Sequence, residues 1–271
     1  MTLFLLFLGN IRNSARVAPD RKDNKSTICQ QQHPQELSRS MRQIRTFRLM
    51  ESFPLTLEHT ALKPTLTGAD IDQLVAEAKD HGIGGVCVPP FWVKRAQRER
   101  GAAPVQLVTV IGFPLGYQMT ETKEREMELA LRDGADELDL VMNISAFKAG
   151  MPWVKIEFAR CAKLAHAHEK LIKVIIETAY LDEEEIKRAC TWCQDAGVDF
   201  VKTSTGFAGS GAKVEHIRLM RSHLHESVGI KASGGIRTYA DAKAMLDAGA
   251  DRLGTSSGVA LVQAWKAANG K

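Results

Sequence analysis

The sequence predicts a single α/β domain in which eight parallel strands alternate with helices and close into a barrel. From Phe53 onward, short β-branched or apolar runs alternate with amphipathic segments of helical length. The length agrees, because a chain of 271 residues is the usual size of one such barrel. Glycines that recur at regular intervals favour a closed barrel over an open sheet.

Eight segments have the length and composition of buried parallel strands. Each is followed by a segment long enough to return to the start of the next strand as a helix. The predicted strands are residues 55–59, 85–89, 106–113, 137–143, 171–178, 199–205, 229–235 and 252–256.

Four glycines, Gly82, Gly134, Gly197 and Gly249, stand where a predicted helix ends and a strand follows. Glycine accepts the left-handed backbone that commonly ends a helix. The four are 52, 63 and 52 residues apart, about two strand-helix units, so they precede every second strand. This alternation is typical of a TIM (β/α)8 barrel. The alternative, a doubly wound dinucleotide-binding sheet, lacks its Gly-x-Gly-x-x-Gly motif in the first unit.

Residues 1–50 are predicted to be a disordered or dispensable basic extension, and residues 51–271 to form the barrel. The extension holds nine Lys and Arg against three Asp and Glu, whereas the remainder holds 27 against 29. The formal charge of +4 therefore comes from the extension, and we expect no nucleic-acid partner. A transit peptide or a basic interaction arm is the functional alternative. The apolar run at residues 3–8 is too short to span a membrane, so no membrane partner is expected.

The cysteines indicate a reducing cytosol, because five scattered residues do not form the framework of a secreted disulfide protein. Cys190 and Cys193 have the spacing of a redox pair. They fall within a predicted helix over residues 182–195 with no strand immediately before it, so we interpret them as ordinary helix thiols.

Three lysines, Lys173, Lys202 and Lys231, interrupt buried strands and are 29 residues apart, twice over. One strand-helix unit has about that length, so we expect them at comparable heights on neighbouring strands about 4.8 Å apart. Crowded, partly desolvated ammonium groups lower one another's pKa, and a neutral amine can attack a carbonyl to form a Schiff base. The pattern does not choose among the three. The structural alternative is that each lysine extends to solvent at a strand end.

Carboxylates and glycine loops complete the predicted site. Asp139, in the fourth strand, is placed to transfer protons as a carbinolamine forms and breaks down, or is a paired structural carboxylate. Glu177, at the end of the fifth strand, is a candidate to orient a lysine. Ser233-Gly-Gly-Ile-Arg and Gly254-Thr-Ser-Ser-Gly follow the last two strands, where barrels often bind phosphate on backbone amides.

The ligand implied by these residues is a small phosphorylated carbonyl compound. A metal-dependent aldolase is disfavoured, since most histidines lie on predicted helices away from the strand ends and offer no three-ligand site. The histidines considered are His59, His81, His166, His168, His216, His223 and His225.

Six segments of the chain form a specific set. They are Glu58-His-Thr-Ala-Leu-Lys-Pro, Cys87-Val-Pro-Pro, Ile111-Gly-Phe-Pro-Leu-Gly, Lys173-Val-Ile-Ile-Glu-Thr, Val201-Lys-Thr-Ser-Thr-Gly-Phe and Lys231-Ala-Ser-Gly-Gly-Ile-Arg. Together they resemble the deoxyribose-phosphate aldolases, from about residue 55 to residue 261. The two lysine motifs of the last two segments, at this separation, are the most specific part of the resemblance.

The resemblance implies a class I aldolase on a TIM barrel that reversibly cleaves 2-deoxy-D-ribose 5-phosphate into D-glyceraldehyde 3-phosphate and acetaldehyde. It implies no cofactor and no metal, and a homodimer or larger homo-oligomer. Lys202 would form the Schiff base, Lys231 would lower its pKa and transfer protons, and Asp139 would donate and accept protons. The substrate-binding residues implied are Lys173, Thr203, Gly206, Gly234, Gly235, Gly254, Thr255, Ser256, Ser257 and Glu58.

Two positions depart from the family pattern. Glu58 replaces the usual Asp, and its extra methylene is expected to shift a hydrogen bond to substrate or to Lys231. The terminal tyrosine of some members is missing. The other functions considered are a Schiff-base aldolase for a different phosphorylated sugar and a non-catalytic phospho-sugar binding protein.

Overall fold

The computed structural model describes residues 52–270, which contain a closed barrel of eight parallel strands in sequential order. Each strand pairs with its two neighbours, and the last pairs with the first. The predicted TIM barrel is therefore confirmed. The strands are β1 (Leu57–Thr60), β2 (Gly85–Val88), β3 (Gln106–Ile111), β4 (Glu137–Val141), β5 (Leu171–Ile175), β6 (Phe200–Lys202), β7 (Gly229–Ser233) and β8 (Arg252–Thr255).

Helices follow every strand, and two lie between β4 and β5. Short 3-10 turns cover Phe53–Thr56, Pro90–Trp92 and Thr178–Tyr180. The α-helices of this part of the chain are α1 (Gly68–His81), α2 (Val93–Arg100), α3 (Thr120–Arg132), α4 (Ile144–Lys148), α5 (Trp153–Ala167), α6 (Glu183–Asp195), α7 (Val214–His223), α8 (Tyr239–Ala248) and α9 (Gly258–Ala268).

All eight predicted strands exist, but most were predicted too long at their carboxyl ends, by up to three residues. The extra residues leave the strand ladder to form the loops at the barrel mouth. β1 also begins two residues later than predicted, because Pro54 starts the 3-10 turn Phe53–Thr56. The predicted extension, residues 1–50, lies outside the described residues.

The barrel interior is chemically divided. Val108 and Val110 of β3 form a small apolar cluster with Cys87 of β2. The inward positions of the other strands carry charged side chains instead, which the next section describes. The larger apolar core lies between the strands and the surrounding helices, where Leu107 and Ile111 of β3 point outward. Alternation along one strand thus assigns each residue to one of two environments.

The helix-ending glycines have left-handed backbones as predicted, with φ of 64°, 106°, 77° and 114° at Gly82, Gly134, Gly197 and Gly249. Each of the last three glycines is followed, two residues later, by an aspartate. This aspartate makes two hydrogen bonds to the odd-numbered strand that precedes it. Its backbone amide donates to a carbonyl, and its carboxylate accepts from the amide of the same residue. These clasps join Asp136 to Leu107, Asp199 to Ile172 and Asp251 to Ile230, with both bonds between 2.8 and 3.2 Å.

The first clasp position holds Gly84, whose amide donates to Pro54 O at 2.9 Å. A Cβ at this position would lie 2.2 Å from Leu55 O, so no side chain fits there. At this joint the backbone of Gly84 alone contacts the 3-10 turn that precedes β1.

Cys190 and Cys193 lie on α6 as free, buried thiols, as the sequence predicted. Burial raises the pKa of Cys190 to about 12, so its reactive thiolate form is scarce at neutral pH. Within residues 52–270 no helix has both the length and the apolar composition needed to cross a membrane.

Candidate active site

The strand register decides how the three lysines are arranged. Lys202 of β6 pairs directly with Lys231 of β7. Lys173 of β5 pairs with Phe200, and Ile175 pairs with Lys202, so Lys173 lies two residues deeper in the barrel. The expectation of a common height is wrong for Lys173, because tilted strands are staggered and equal spacing in sequence does not give equal height.

The three ammonium groups nevertheless meet at one carboxylate. Asp139 Oδ2 accepts hydrogen bonds from Lys202 Nζ at 2.7 Å and from Lys231 Nζ at 2.6 Å. Its other oxygen accepts from Lys173 Nζ at 3.1 Å. Asp139 is completely buried, so protein donors replace the water that would otherwise solvate it.

A second layer of carboxylates lies beneath the lysines. Glu58 of β1 accepts from Lys231 and is 3.4 Å from Lys173 Nζ. Glu137 of β4 accepts from Lys173 and holds both its oxygens 2.6 to 2.7 Å from Arg252 Nη1. Arg252, at the start of β8, also lies 3.4 Å from Glu58 Oε1. These contacts make a continuous ionic network across the barrel interior.

The network distinguishes Lys202 from the other two lysines. Burial lowers the pKa of Lys202, the neighbouring Lys231 lowers it further, and Asp139 opposes both without reversing the direction. For Lys231, burial is outweighed by Asp139 and Glu58, which raise its pKa. The same two carboxylates together with Glu137 raise the pKa of Lys173. Burial, together with the neighbouring Lys231, therefore favours a neutral amine at Lys202 alone among the three.

Asp139 stays ionised in this environment. Although burial opposes the charged form, the three lysines hold the pKa of Asp139 well below its usual range. In this charged form Asp139 touches Lys202 Nζ and can stabilise a cation formed on that nitrogen.

A cavity of about 750 Å³ opens above Lys202 at the carboxyl ends of the strands. Lys202 is only 3% exposed, and it lies in the cavity lining, whereas Asp139 and Lys231 lie beneath it. One wall consists of the end of β8 and the loops after β6, β7 and β8. The predicted residues in that wall are Gly206, Gly234, Gly235, Gly254, Thr255 and Ser256.

Four residues predicted to bind substrate lie outside this lining. Glu58 and Lys173 belong to the network below the cavity. Thr203 is buried between β6 and β7, where its hydroxyl donates to Ser233 O at 3.2 Å and accepts from Ser233 N at 3.1 Å. The Ser257 amide donates to Thr255 Oγ1 at 3.0 Å and so stabilises the loop after β8 without lining the cavity.

Gly234 is required by its surroundings. Its φ of 83° is left-handed, and a Cβ there would lie 3.0 Å from Gly211 Cα. Thr255 Oγ1 donates to Ile236 O at 2.8 Å, which ties the loop after β8 to the loop after β7. The two predicted phosphate loops thus form one connected wall.

Glu177 orients the loop after β6 rather than a lysine. Its backbone is left-handed, with φ of 50°, and the amides of Ile176 and Thr178 on either side donate to the consecutive carbonyls of Lys202 and Thr203 at the end of β6. The resulting bulge turns Glu177 Oε2 toward Thr205, from whose amide and hydroxyl it accepts at 3.0 and 2.5 Å. Thr205 Oγ1 in turn accepts from Phe207 N at 3.0 Å.

The opposite wall went unpredicted. It is formed by the end of β1, the loop after it and α1, and includes Thr60, Lys63, Gln73 and the hydrogen-bonded pair of His59 with Glu77, at 2.8 Å. Arg237 completes the rim. Thr60 shares the inward face of β1 with Glu58, so the alternation of side chains along the strand could have identified it.

Comparison with known proteins finds a matching family and relatives that are described as aldolases. Residues 52–264 match the DeoC/LacD family of aldolases. A deoxyribose-phosphate aldolase of Thermococcus gammatolerans is 51% identical over 210 residues, which cover 76% of this chain and 93% of that protein. Another, of Caldanaerobacter subterraneus, is 46% identical over 212 residues, or 78% and 92% of the two chains. A structure described as a unique tetrameric deoxyribose phosphate aldolase, from Aeropyrum pernix, has a TM-score of 0.75 at 34% identity and covers 85% and 99%.

Proposed function

The chain belongs to the DeoC/LacD family of aldolases, and we propose that it reversibly cleaves 2-deoxy-D-ribose 5-phosphate through a Schiff base on Lys202. The products would be D-glyceraldehyde 3-phosphate and acetaldehyde. One observation carries the proposal: of the three converging lysines, Lys202 alone both lines the cavity and has a lowered pKa. A neutral amine that borders the cavity is what attack on an aldehyde needs.

In the proposed reaction, Lys202 Nζ adds to the C1 aldehyde of the open-chain sugar and forms a carbinolamine. Loss of water gives the iminium ion, which the charge of Asp139, 2.7 Å from Nζ, stabilises. Removal of the C3 hydroxyl proton then breaks the C2–C3 bond, and the electron pair moves into the iminium to give an enamine. Protonation of the enamine at C2 and hydrolysis release acetaldehyde and the free amine.

Proton transfers in this sequence are assigned to Asp139 and Lys231. Lys231 donates to the same oxygen of Asp139 as Lys202 does, at 2.6 Å, so a proton can pass between the two amines through one carboxylate atom. The raised pKa of Lys231 keeps it charged beside Lys202. It therefore also disfavours a second positive charge on the nucleophile.

The phosphate would lie against the wall of Gly206, Gly234, Gly235, Thr255 and Ser256, remote from the reacting carbon. Turns of this kind offer backbone amides to an anion, and α9 begins directly after the last of them. Binding at this end positions the aldehyde over Lys202. The proposal requires no metal or other cofactor.

Assembly and location extend the proposal. We expect a homodimer or larger homo-oligomer, since the Aeropyrum pernix relative is described as tetrameric. A cytosolic location is supported by cysteine usage, because the four cysteines of the described residues are free and buried.

Borohydride reduction tests the nucleophile directly. Wild type incubated with 2-deoxyribose 5-phosphate and reduced should acquire one adduct, which peptide mass spectrometry should place on Lys202. A Lys170→Ala control removes a lysine at the other end of the barrel, paired with Asp136, and should keep adduct and turnover. An adduct on another lysine, or substrate binding without adduct or turnover, contradicts the proposal. A stronger adduct with dihydroxyacetone phosphate would favour a different phosphorylated sugar.

A further inference from the structure

In the ionic network beneath the cavity, positively and negatively charged side chains alternate from one contact to the next. Arg252 lies at the lower end, near the start of β8, and contacts Glu137 and Glu58. These two carboxylates contact Lys173 and Lys231, both of which contact Asp139, and Asp139 in turn contacts Lys202 at the cavity floor. We call these seven side chains the charge column.

The column has one more cation than anions. Its three carboxylates are matched by Lys173, Lys231 and Arg252, so these six groups sum to zero when all are ionised. Lys202 is the seventh member, and its protonation would leave an uncompensated positive charge in this buried set of groups. Since a buried net charge is strongly unfavourable, the count itself favours the neutral amine.

We propose that Arg252, held by Glu137, is a positioning residue for the Schiff-base reaction, because it supplies the cation that completes the neutral set below Lys202. This inference rests on the proposed function. Arg252 lies at the end of the barrel opposite the cavity and does not line it, so its effect would pass through charge and not through substrate contact.

Each strand of the barrel contributes to the surroundings of Lys202, and none offers a further cation to replace Arg252. β3 contributes only Val108 and Val110, and β2 contributes Cys87, whose pKa burial raises to about 11 and which is therefore neutral near pH 7. The remaining inward groups that bear charge are Glu58, Glu137, Asp139, Lys173, Lys231 and Arg252.

The geometry of Arg252 makes the inference testable in a folded protein. Its side chain is 24% exposed, against at most 3% for the other six members. Its guanidinium carbon lies 5.0 Å from the centre of the Phe200 ring. Methionine can keep that apolar contact while water fills the space left by the guanidinium, so Arg252→Met is expected to fold.

The sign of the effect follows from the count. Without Arg252 the other five groups carry a net charge of −1, which favours protonated Lys202 and raises its pKa. β8 lies two strands from β6, about 10 Å away. At an effective dielectric constant of about 20, a unit charge at that distance shifts a pKa by about one unit. The acid limb of kcat/KM should therefore move up by about one pH unit, with about tenfold lower activity below the limb.

Three variants test this with the full-length chain and 2-deoxyribose 5-phosphate. Arg252→Met should shift the limb, Arg252→Lys should keep it near the wild-type value, and the double variant Arg252→Met with Glu137→Gln should restore it, since one charge of each sign is removed. The matched control is Arg100→Met, a 12% exposed arginine paired with Asp136 outside the column, which should leave the limb unchanged.

A merely structural Arg252 would lower the melting temperature and kcat in Arg252→Met without moving the limb, and adding Glu137→Gln would worsen both losses. The inference is overturned if an Arg252→Met variant with wild-type circular dichroism shows an unmoved acid limb, or if adding Glu137→Gln enlarges the losses. If Arg252→Met does not fold, the pair Arg252→Lys and Arg252→Gln gives the same comparison of charge. If wild type forms the adduct on Lys202 but the acid limb of Arg252→Met does not move, only this inference is refuted. If wild type forms no adduct on Lys202, the proposed function itself is refuted.

Discussion

Replacing Lys231 by leucine removes the neighbouring cation that lowers the pKa of the proposed nucleophile, Lys202. Lys202 Nζ and Lys231 Nζ lie 2.7 and 2.6 Å from the same oxygen of Asp139, so the two nitrogens are no more than 5.3 Å apart. At an effective dielectric constant of about 20, two unit charges at that separation repel by about 3 kcal/mol, or about two pKa units. The pKa of Lys202 should rise by that amount when Lys231 is removed.

The sign of the pH dependence follows. A higher pKa means that the neutral amine is present only at higher pH, so the acid limb of kcat/KM should move up by about two units. Activity near pH 7 should fall, and should recover only in part at alkaline pH because Lys231 is also assigned a proton transfer. The assay is a steady-state pH profile, supported by the pH dependence of borohydride trapping on Lys202.

Folding must be measured in parallel. Removing one partner of a buried ion pair destabilises a protein by about 3 to 5 kcal/mol, which denaturant unfolding would detect. Lys231→Leu combined with Glu58→Gln removes both partners and should recover much of that stability. A folded Lys231→Leu protein whose acid limb coincides with that of wild type would refute the reasoning, as would a wild-type adduct on Lys231.

Three further predictions concern other parts of the molecule. Lys202→Ala should abolish the borohydride adduct and lower turnover by more than about three orders of magnitude, whereas activity above about 1% of wild type would exclude Lys202 as nucleophile. Ser256→Asp places a negative charge in the phosphate wall and should lower kcat/KM for 2-deoxyribose 5-phosphate by about ten- to a hundredfold, but much less for unphosphorylated deoxyribose; equal losses would place the phosphate elsewhere. Deleting residues 1–49 should leave turnover and the melting temperature unchanged, and an insoluble or inactive product would contradict the expected dispensable extension.

The strands, their order and the glycine joints could be predicted because each depends on local signals. Alternating strand and helix patterns identified eight units, and the glycines marked helix ends that the structure confirms, for example at Gly82 and Gly249. Strand ends were harder to predict, because apolar residues such as Ile176 continue into the mouth loops and only hydrogen-bond geometry ends the strand.

Long-range geometry limited prediction of the site. The common spacing of Lys173 and Lys202 hid the stagger between β5 and β6, which no sequence interval encodes. The partner of Glu177 depends on a backbone bulge, and the wall of α1 depends on how a helix packs beside the barrel mouth. Arg252 could have been found, since a charge within a buried strand was the signal that selected the lysines.

The aspartate clasps and the charge column impose opposite constraints on how this barrel can change. Each clasp lies within one pair of successive strands, so each of the last three two-strand quarters is held by its own clasp and could be exchanged for the same quarter of a relative. The charge column, in contrast, takes its side chains from all four quarters. Its charges are −1 in the first (Glu58), −2 in the second (Glu137, Asp139), and up to +2 in each of the last two (Lys173 with Lys202, Lys231 with Arg252). Recombined barrels should therefore fold readily, but remain active only where the exchanged quarter preserves the charge of the one it replaces.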